Sequence, residues 1–371
     1  MSARVLVAMS GGVDSSVAAA ILAAEGYEVI GVAMRLAPES PPAAILRRSR
    51  GTCCSHDDFE DARRVAERLN FPFYVVDLRS DFAGRVIDNF VTEYLRGRTP
   101  NPCVMCNREI KFDRLWQRAA ALQMDYIATG HYARIERDPA GGHRLLRALD
   151  SAKDQSYFLF NLGQHELART LFPLGAMTKQ AVREYARRLG LANADKPESQ
   201  EICFVPNGDY AALIERAARS AGNSELGLRP GRVIDHRGGV LAHHQGIHRF
   251  TVGQRRGLGV AAGEPLYVRA IDAASGDVEL SPRHGLTAPG LIATRINLIR
   301  PEATPDGAFQ ADVKIRYRHR GIPASIRLAE RDRAEIHFAD CGPAVTPGQA
   351  CVFYWGEEVL GGGVIERALE N

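Results

Sequence analysis

The residues best suited to chemistry in this chain are its cysteines and one serine–glycine loop. Cys103 and Cys106 stand three apart in NPCVMCN (101–107), just after a Thr-Pro-Asn-Pro turn. That spacing suits half of a zinc site, a disulfide, or a working pair that handles sulfur. Zinc takes four ligands, typically as two pairs, and the adjacent Cys53 and Cys54 are poorly spaced for a second. Cys341 and Cys351 lie in β-like runs and read as core or edge residues. Cys203, in PESQEICFVPNGDY (197–210), follows a polar segment instead of lying within an apolar run. That places it in a loop that solvent and a partner reach, against the plainer reading of a buried structural thiol.

SGGVDSS (10–16) is the other chemical feature. It falls between a short apolar run, RVLVAM (4–9), and a helical run, VAAAILAAEG (17–26). Gly11 and Gly12 allow a tight turn whose N–H groups point at an anion, and the start of a helix adds positive potential. Ser10, Ser15 and Ser16 supply hydroxyl donors, and Asp14 is placed to hold a magnesium ion that bridges phosphates. The loop lacks the Gly-Lys-Ser/Thr of a Walker loop and is not GxGxxG. A plain glycine turn with a Ser/Asp cap is the bland alternative.

These residues need a scaffold. Strand-like runs at 27–34, 73–78 and 125–130 alternate with helical runs at 58–70, 86–97 and 110–123. This alternation predicts a parallel sheet with helices on both faces. A Pro- and Arg-rich surface loop is expected over 37–52, and a hairpin turning at Gly141-Gly142 over 134–148. A helix over 178–190 is capped by Thr178 and stopped by Gly190. After a last helix at 208–220, short β-like runs split by turn signals predict an all-β tail of two small barrel-like units. Boundaries are expected near Asn207 and between Pro282 and Pro289.

Composition narrows the function. At 371 residues the chain exceeds one ordinary core, and 45% hydrophobic with 25% charged residues is ordinary for a soluble protein. No apolar run is long enough to span a bilayer, and the first ten residues lack the pattern of a secretory signal. The cytosol is therefore the expected compartment, where cysteines are more often reduced, catalytic or metal-binding than stapled. A net charge of +3 excludes a polycation, so any nucleic-acid binding must come from local patches such as RYRHR (316–320). That run is either a solvated strand face or a phosphate-contacting patch in which Tyr317 stacks.

SGGVDSS by itself resembles the loop of the PP-loop ATP pyrophosphatases, which split ATP into AMP and pyrophosphate and adenylate an oxygen. TPNPCVMCNREIKF (99–112), TGHYA (129–133), KDQSYFL (153–159), KPESQEICFV (196–205), TVGQRRGL (251–258), RYRH (316–319) and PGQACVFY (347–354) follow it in order. Together these motifs resemble the tRNA-specific 2-thiouridylases, tRNA-uridine 2-sulfurtransferases of the bacterial and mitochondrial type. The resemblance runs from near residue 4 to near residue 365.

The resemblance implies an N-terminal PP-loop α/β domain with a doubly wound parallel sheet (1–207), a small central β-rich domain (208–285) and a C-terminal β-barrel that contacts tRNA (286–371). It implies that sulfur replaces the C2 oxygen of the wobble uridine in tRNAs for Lys, Glu and Gln. ATP and magnesium are the implied cofactors, with no zinc and no iron–sulfur cluster. A cysteine desulfurase or a sulfur-relay protein is the implied persulfide donor to a monomer that needs no membrane. Ala8, Met9, Ser10, Gly11, Gly12, Val13, Asp14 and Ser15, with Met34 and Gly130, are then expected at the ATP site. Cys106 matches the nucleophile and Cys203 the persulfide carrier, and a Cys106–Cys203 disulfide ends each turnover. Asn101, Pro102 and Cys103 are expected against the target base. Lys153, Asp154, Gln155, His131, Arg316, Tyr317 and Gln349 are expected to touch tRNA. Many relatives carry Asp where this chain has Cys103, and a thiol is a weak acid–base group at neutral pH unless its pKa is lowered. The rival readings are an iron–sulfur PP-loop tRNA thiolase ligating through Cys103, Cys106 and Cys203, a PP-loop ligase of a small metabolite, and a non-enzymatic RNA-binding protein.

Overall fold

Short apolar runs alternating with helices do build a parallel sheet. The structure, a computed structural model, describes residues 2–36, 56–198, 202–205, 208–220, 227–303, 307–330 and 332–370. The expected loop over 37–52, Cys53 and Cys54, and residues 199–201 lie outside the described residues. The chain opens with β1 (Arg4–Ala8), α1 (Val13–Ala24), β2 (Glu28–Arg35), α2 (His56–Arg68) and β3 (Phe73–Asp77). Next come α3 (Arg79–Phe82), a π-helical turn at Ala83–Ile87, α4 (Asp88–Leu95), α5 (Pro102–Cys106), a π-helical stretch at Asn107–Arg114 and α6 (Leu115–Ala121). Then follow β4 (Tyr126–Thr129), β5 (Ala133–Arg137), β6 (His143–Arg147), α7 (Gln164–Leu167), β7 (Thr170–Leu171), α8 (Lys179–Arg188) and α9 (Tyr210–Ser220).

Two compact units emerge. One comprises Met1–Val86, Cys103–Gly208 and Glu357–Val359; the other comprises Ile87–Pro102, Asp209–Gly356 and Leu360–Asn371. Within the contacts of the fold, α4 and the segment after it group with the second unit. The physical reason is contact with residues distant along the chain: the Tyr94 and Tyr210 ring centroids lie 4.9 Å apart, and Arg98 Nη2 donates to the Ile365 carbonyl at 3.1 Å. Thr99 N donates to the Pro347 carbonyl at 2.8 Å.

In the first unit the sheet order is β3-β2-β1-β4-β7, with every pairing parallel. β1 is buried along nearly its whole length, because helices cover both faces of such a sheet. α1 is rich in alanine and buried from Val13 to Leu22 with few breaks, so it packs closely rather than showing one polar face. Val5, Val7, Met9, Val17, Ala18, Val182 and Leu191 share its core. α8 starts where expected: Thr178 Oγ1 accepts from Ala181 N at 3.2 Å, a cap that stabilises by about 1 kcal/mol, and Gly190 ends it with φ +62°. The hairpin β5–β6 turns through Gly141 and Gly142, both with positive φ. The helix expected over 110–123 differs. It begins at Pro102, passes through eight π-helical residues and regains α geometry at Leu115.

The second unit holds β8 (Gly231–Asp235), β9 (Val240–His244), β10 (Tyr267–Ile271) and β11 (Val278–Ser281) in a mixed sheet of order β10-β11-β8-β9. This sheet packs over Val233, Phe250, Val268 and Leu280, and its outer strands β10 and β9 have no further strand partner among the described residues. β12 (Ala288–Leu298), β13 (Ala308–Lys314), β14 (Ile322–Glu330), β15 (Arg333–Gly342), β16 (Ala350–Trp355) and β17 (Glu358–Ala368) do close, because β12 pairs with both β15 and β17. β13 alternates exposed and buried residues along most of its length, the period a barrel wall requires. No helix among the described residues is long and apolar enough to cross a membrane.

Candidate active site

Strand order reverses between β1 and β4, and the crevice beyond the C-terminal ends of those strands is where open α/β sheets bind ligands. Residues 9–12 leave β1 at that point. Gly11 has φ +72°, and a Cβ there would lie 2.2 Å from the Asp58 carbonyl oxygen, so only glycine fits. Gly12 is extended (φ −85°, ψ 162°), and no side chain caps the N-terminus of α1. The unpaired N–H groups of that first turn suit an anion. A Cβ on Gly130 would lie 2.6 Å from Ser15 N, so this glycine lets the end of β4 abut the first turn of α1. Ala8, Met9, Val13 and Met34 are buried around the loop.

The hydroxyls divide differently from the sequence reading. Ser15 and Ser16 are buried and donate to the Gly12 carbonyl at 3.2 and 2.9 Å, and Ser15 Oγ also accepts from Ser10 N at 3.1 Å. They fix the turn from inside; only Ser10 is exposed.

Asp14 also departs from expectation. Lys179 Nζ lies 2.8 Å from both of its carboxylate oxygens, and the Tyr132 hydroxyl donates to Oδ1 at 2.8 Å. Burial first, and then the neighbouring Asp14 charge, push the Tyr132 phenol far above its usual pKa, so it remains a donor. Asp14 is thus matched by an ammonium rather than left open to a cation. Among the described residues no group of three His, Cys, Asp or Glu side chains is arranged to hold a metal. The arrangement does not fit a magnesium ion held by Asp14.

Cys106 closes α5, where the π-helical stretch begins, and is half-buried; Cys103 is exposed on the same short helix. Wide turns of this type recur at functional sites. Asn107, next to Cys106, is buried and donates from Nδ2 to the Phe158 carbonyl at 3.2 Å. Cys203 is half-buried in the same unit. Its neighbour Phe204 packs edge-on against Phe82 at 5.6 Å, and Val205 is buried. Each cysteine is therefore partly accessible beside a side chain held in place.

The residues expected at the tRNA surface also make contacts within the fold. His131 is buried between Phe112 and Phe172, and Thr129 Oγ1 lies 2.6 Å from its Nδ1. Burial, with Lys111 adding to it, holds its pKa well below the ordinary value, so the ring is neutral. Asp154 is buried and accepts from Ala148 N and Ser156 N. Gln155 Oε1 accepts from Tyr132 N at 2.9 Å, and Lys153 Nζ lies 2.7 Å from Glu198 Oε2. In the second unit, Arg316 and Tyr317 occupy the turn between β13 and β14, not a strand face. Arg316 Nη2 donates to the Ala344 carbonyl and Thr346 Oγ1 at 3.1 Å each, yet the residue is exposed. Gln349 Nε2 donates to the Thr99 and Pro100 carbonyls at 2.8 and 3.3 Å, which braces the segment just before Asn101 and Pro102.

Comparison with known proteins decides the family. A family model described as the tRNA methyl transferase HUP domain matches residues 3–207. Others described as the tRNA methyl transferase PRC-barrel domain and the aminomethyltransferase beta-barrel domain match 223–282 and 288–365. The tRNA-specific 2-thiouridylase MnmA of Geotalea uraniireducens (strain Rf4) is 55% identical, over 99% of this chain and 96% of its own. The protein of the same name from Geobacter metallireducens is 52% identical over 99% and 97%, and that of Carboxydothermus hydrogenoformans is 47% identical over 99% and 98%. The chain belongs to the tRNA-specific 2-thiouridylase family.

In this 2-thiouridylase, sequence reasoning passed over Tyr132, Lys179, Asn193, Lys196 and Glu198, all of which bind the nucleotide loop or its partners. One signal was available. Lys179 opens a helix, where a cation opposes the dipole and needs a carboxylate partner. The thiols of the 2-thiouridylase also differ in reactivity. Burial pushes the Cys351 thiol up to about 12, and its side chain is enclosed in the barrel core. Alkylation of the native protein by iodoacetamide at pH 8 is expected to label exposed Cys103 and Cys341 well ahead of Cys351, which reacts only after denaturation. Peptide mass spectrometry reads the order, and early labelling of Cys351 would contradict the enclosed core.

Proposed function

We propose that this chain uses ATP to thiolate C2 of the wobble uridine in tRNAs for Lys, Glu and Gln. The observation that carries the reading is one compact unit that holds both an uncapped helix start behind a glycine loop and two partly accessible cysteines. Full-length identity to proteins named tRNA-specific 2-thiouridylase supports the substrate.

The chemistry follows from the leaving group. An oxygen on uracil C2 departs poorly. Transfer of AMP from ATP to that oxygen releases pyrophosphate and makes a phosphate ester that departs as AMP. The N–H groups at the start of α1 stabilise charge on the phosphates. Asp14 takes no metal in this scheme, because Lys179 engages it. A cysteine desulfurase or relay protein loads Cys203 as a persulfide. Its terminal sulfur attacks C2, AMP leaves, and the Cys106 thiolate then attacks Cys203 Sγ, freeing the thiouridine and closing a Cys106–Cys203 disulfide. In the alternative order, Cys106 attacks first and releases hydrosulfide, which attacks C2. In both routes the two thiols give up two electrons to the sulfur, and a dithiol reductant must restore them.

The target base leaves its stack at a cost of about a few kcal/mol, offset by phosphate contacts from the exposed Arg316, Arg318 and Arg320. We assign this role to a C-terminal barrel domain at 286–371, with a central domain at 208–285. The deciding assay mixes the chain, unmodified tRNA, ATP, a persulfide-loaded donor and a dithiol. The expected products are 2-thiouridine at the wobble position with one AMP and one pyrophosphate each, and none without ATP. Failure to form 2-thiouridine with a competent donor would refute the assignment.

A further inference from the structure

The segment from Asn193 to Glu198, which follows α8, is fastened to the nucleotide loop at three places. Asn193 Nδ2 donates to the Gly11 carbonyl at 3.1 Å and to Ser16 Oγ at 2.9 Å. Lys196 Nζ donates to the same Gly11 carbonyl at 3.3 Å and bonds Asp58 Oδ1 and Asp61 Oδ2 at 2.7 and 2.6 Å. Glu198 shares the Lys179 ammonium with Asp14, at 2.7 Å, and takes Lys153 on its other oxygen. Only four residues of sequence then separate Glu198 from Cys203.

The first two contacts have a directional consequence. In a trans peptide the carbonyl and the following N–H point opposite ways, and the described chain has no cis peptide. With the Gly11 carbonyl held by Asn193 and Lys196, the Gly12 N–H faces away from this segment. Asp58 backs the same glycine so closely that no Cβ fits. The ammonium of Lys196 is thus matched by two carboxylates while it holds one carbonyl. The third contact ties the end of the segment to Asp14 through one buried lysine, Lys179.

We propose that Asn193, Lys196 and Glu198 are positioning residues that couple the nucleotide loop to the cysteine that delivers sulfur. The inference rests on the function proposed above. The loop's geometry sets where the segment ends, and the segment's end sets where the chain leading to Cys203 begins. Sulfur thereby arrives in register with the activated uridine. When the coupling is loosened, the adenylated base survives long enough for water to attack C2. Water then expels AMP and regenerates uridine, so that ATP and water yield AMP and pyrophosphate with no sulfur transferred.

The test is the ratio of AMP to 2-thiouridine in the complete reaction with full-length protein. Wild type is expected near one. Glu198→Gln removes the charge that binds Lys179 and Lys153, and is expected to raise the ratio at least tenfold. Lys196→Met is expected to raise it as well, and Lys196→Arg to restore it toward one. A purely structural role would lower both products together and leave the ratio unchanged; that result in the variants that keep a cooperative melt would overturn the proposal. If either variant fails to fold, the other carries the same reading. A wild type that makes no 2-thiouridine would instead overturn the underlying function and the coupling with it, so the wild-type control separates the two failures.

Discussion

Cys203→Ser and Cys106→Ser are each expected to abolish 2-thiouridine, by on the order of 10³-fold or more, as removal of a covalent nucleophile does elsewhere. A serine at 203 cannot carry a persulfide. A serine at 106 cannot attack a disulfide-like sulfur to close the cycle. Neither thiol takes part in transfer of AMP, so tRNA-dependent pyrophosphate release is expected to continue in both variants. That split locates the defect after activation. Cys103→Ser is expected to retain activity within about tenfold, because an exposed thiol beside the nucleophile supplies no step in the proposed chemistry. Thiouridine analysis of digested tRNA, paired with a pyrophosphate assay, reads all three. Undiminished thiolation by Cys203→Ser would remove the persulfide carrier from the mechanism, and loss of activity in Cys103→Ser would give that thiol a catalytic step of its own.

Gly11→Ala is expected to have the largest effect on nucleotide use. Its φ of +72° costs an alanine about 1–2 kcal/mol, and the new Cβ would meet the Asp58 carbonyl at 2.2 Å. Backbone must move, and the bonds from Asn193 and Lys196 to the Gly11 carbonyl move with it. A shift near 1 Å at a site that positions reacting phosphates costs about 100-fold in rate, so kcat/KM for ATP is expected to fall by about that much. Gly12→Ala is the contrast for stability. Its φ is ordinary and the nearest atom to a new Cβ is Ser10 Oγ at 3.5 Å, so its melting temperature is expected to match wild type. Equal melting and equal ATP kinetics for Gly11→Ala would show that the loop tolerates what its geometry forbids.

The sequence alone determined the elements whose cause is local. Strand β1, the glycine loop and α1 follow from an apolar run, two glycines and an alanine-rich helix former. The start of α8 at Thr178 and its end at Gly190 follow from capping chemistry, which acts within a few residues. The hairpin at Gly141-Gly142 has the same local origin. The motifs around Cys106 and Cys203 carry the family resemblance, because that is written in residue types and order.

Tertiary structure decided what depends on partners distant along the chain. Asp14 reads as a cation ligand until Lys179, 165 residues later, takes both its oxygens. His131 reads as a surface contact until Phe112 and Phe172 enclose its ring. Ser15 and Ser16 read as phosphate donors until the turn of Gly12 claims their hydroxyls. The π-helical stretch after Cys106 and the contacts of α4 with Tyr210 and its neighbours carry no periodic signal either. The reason is the same throughout. A side chain's type limits which bonds it is able to make, but a buried polar group bonds with whatever the fold brings within about 3 Å, and only packing sets that neighbour.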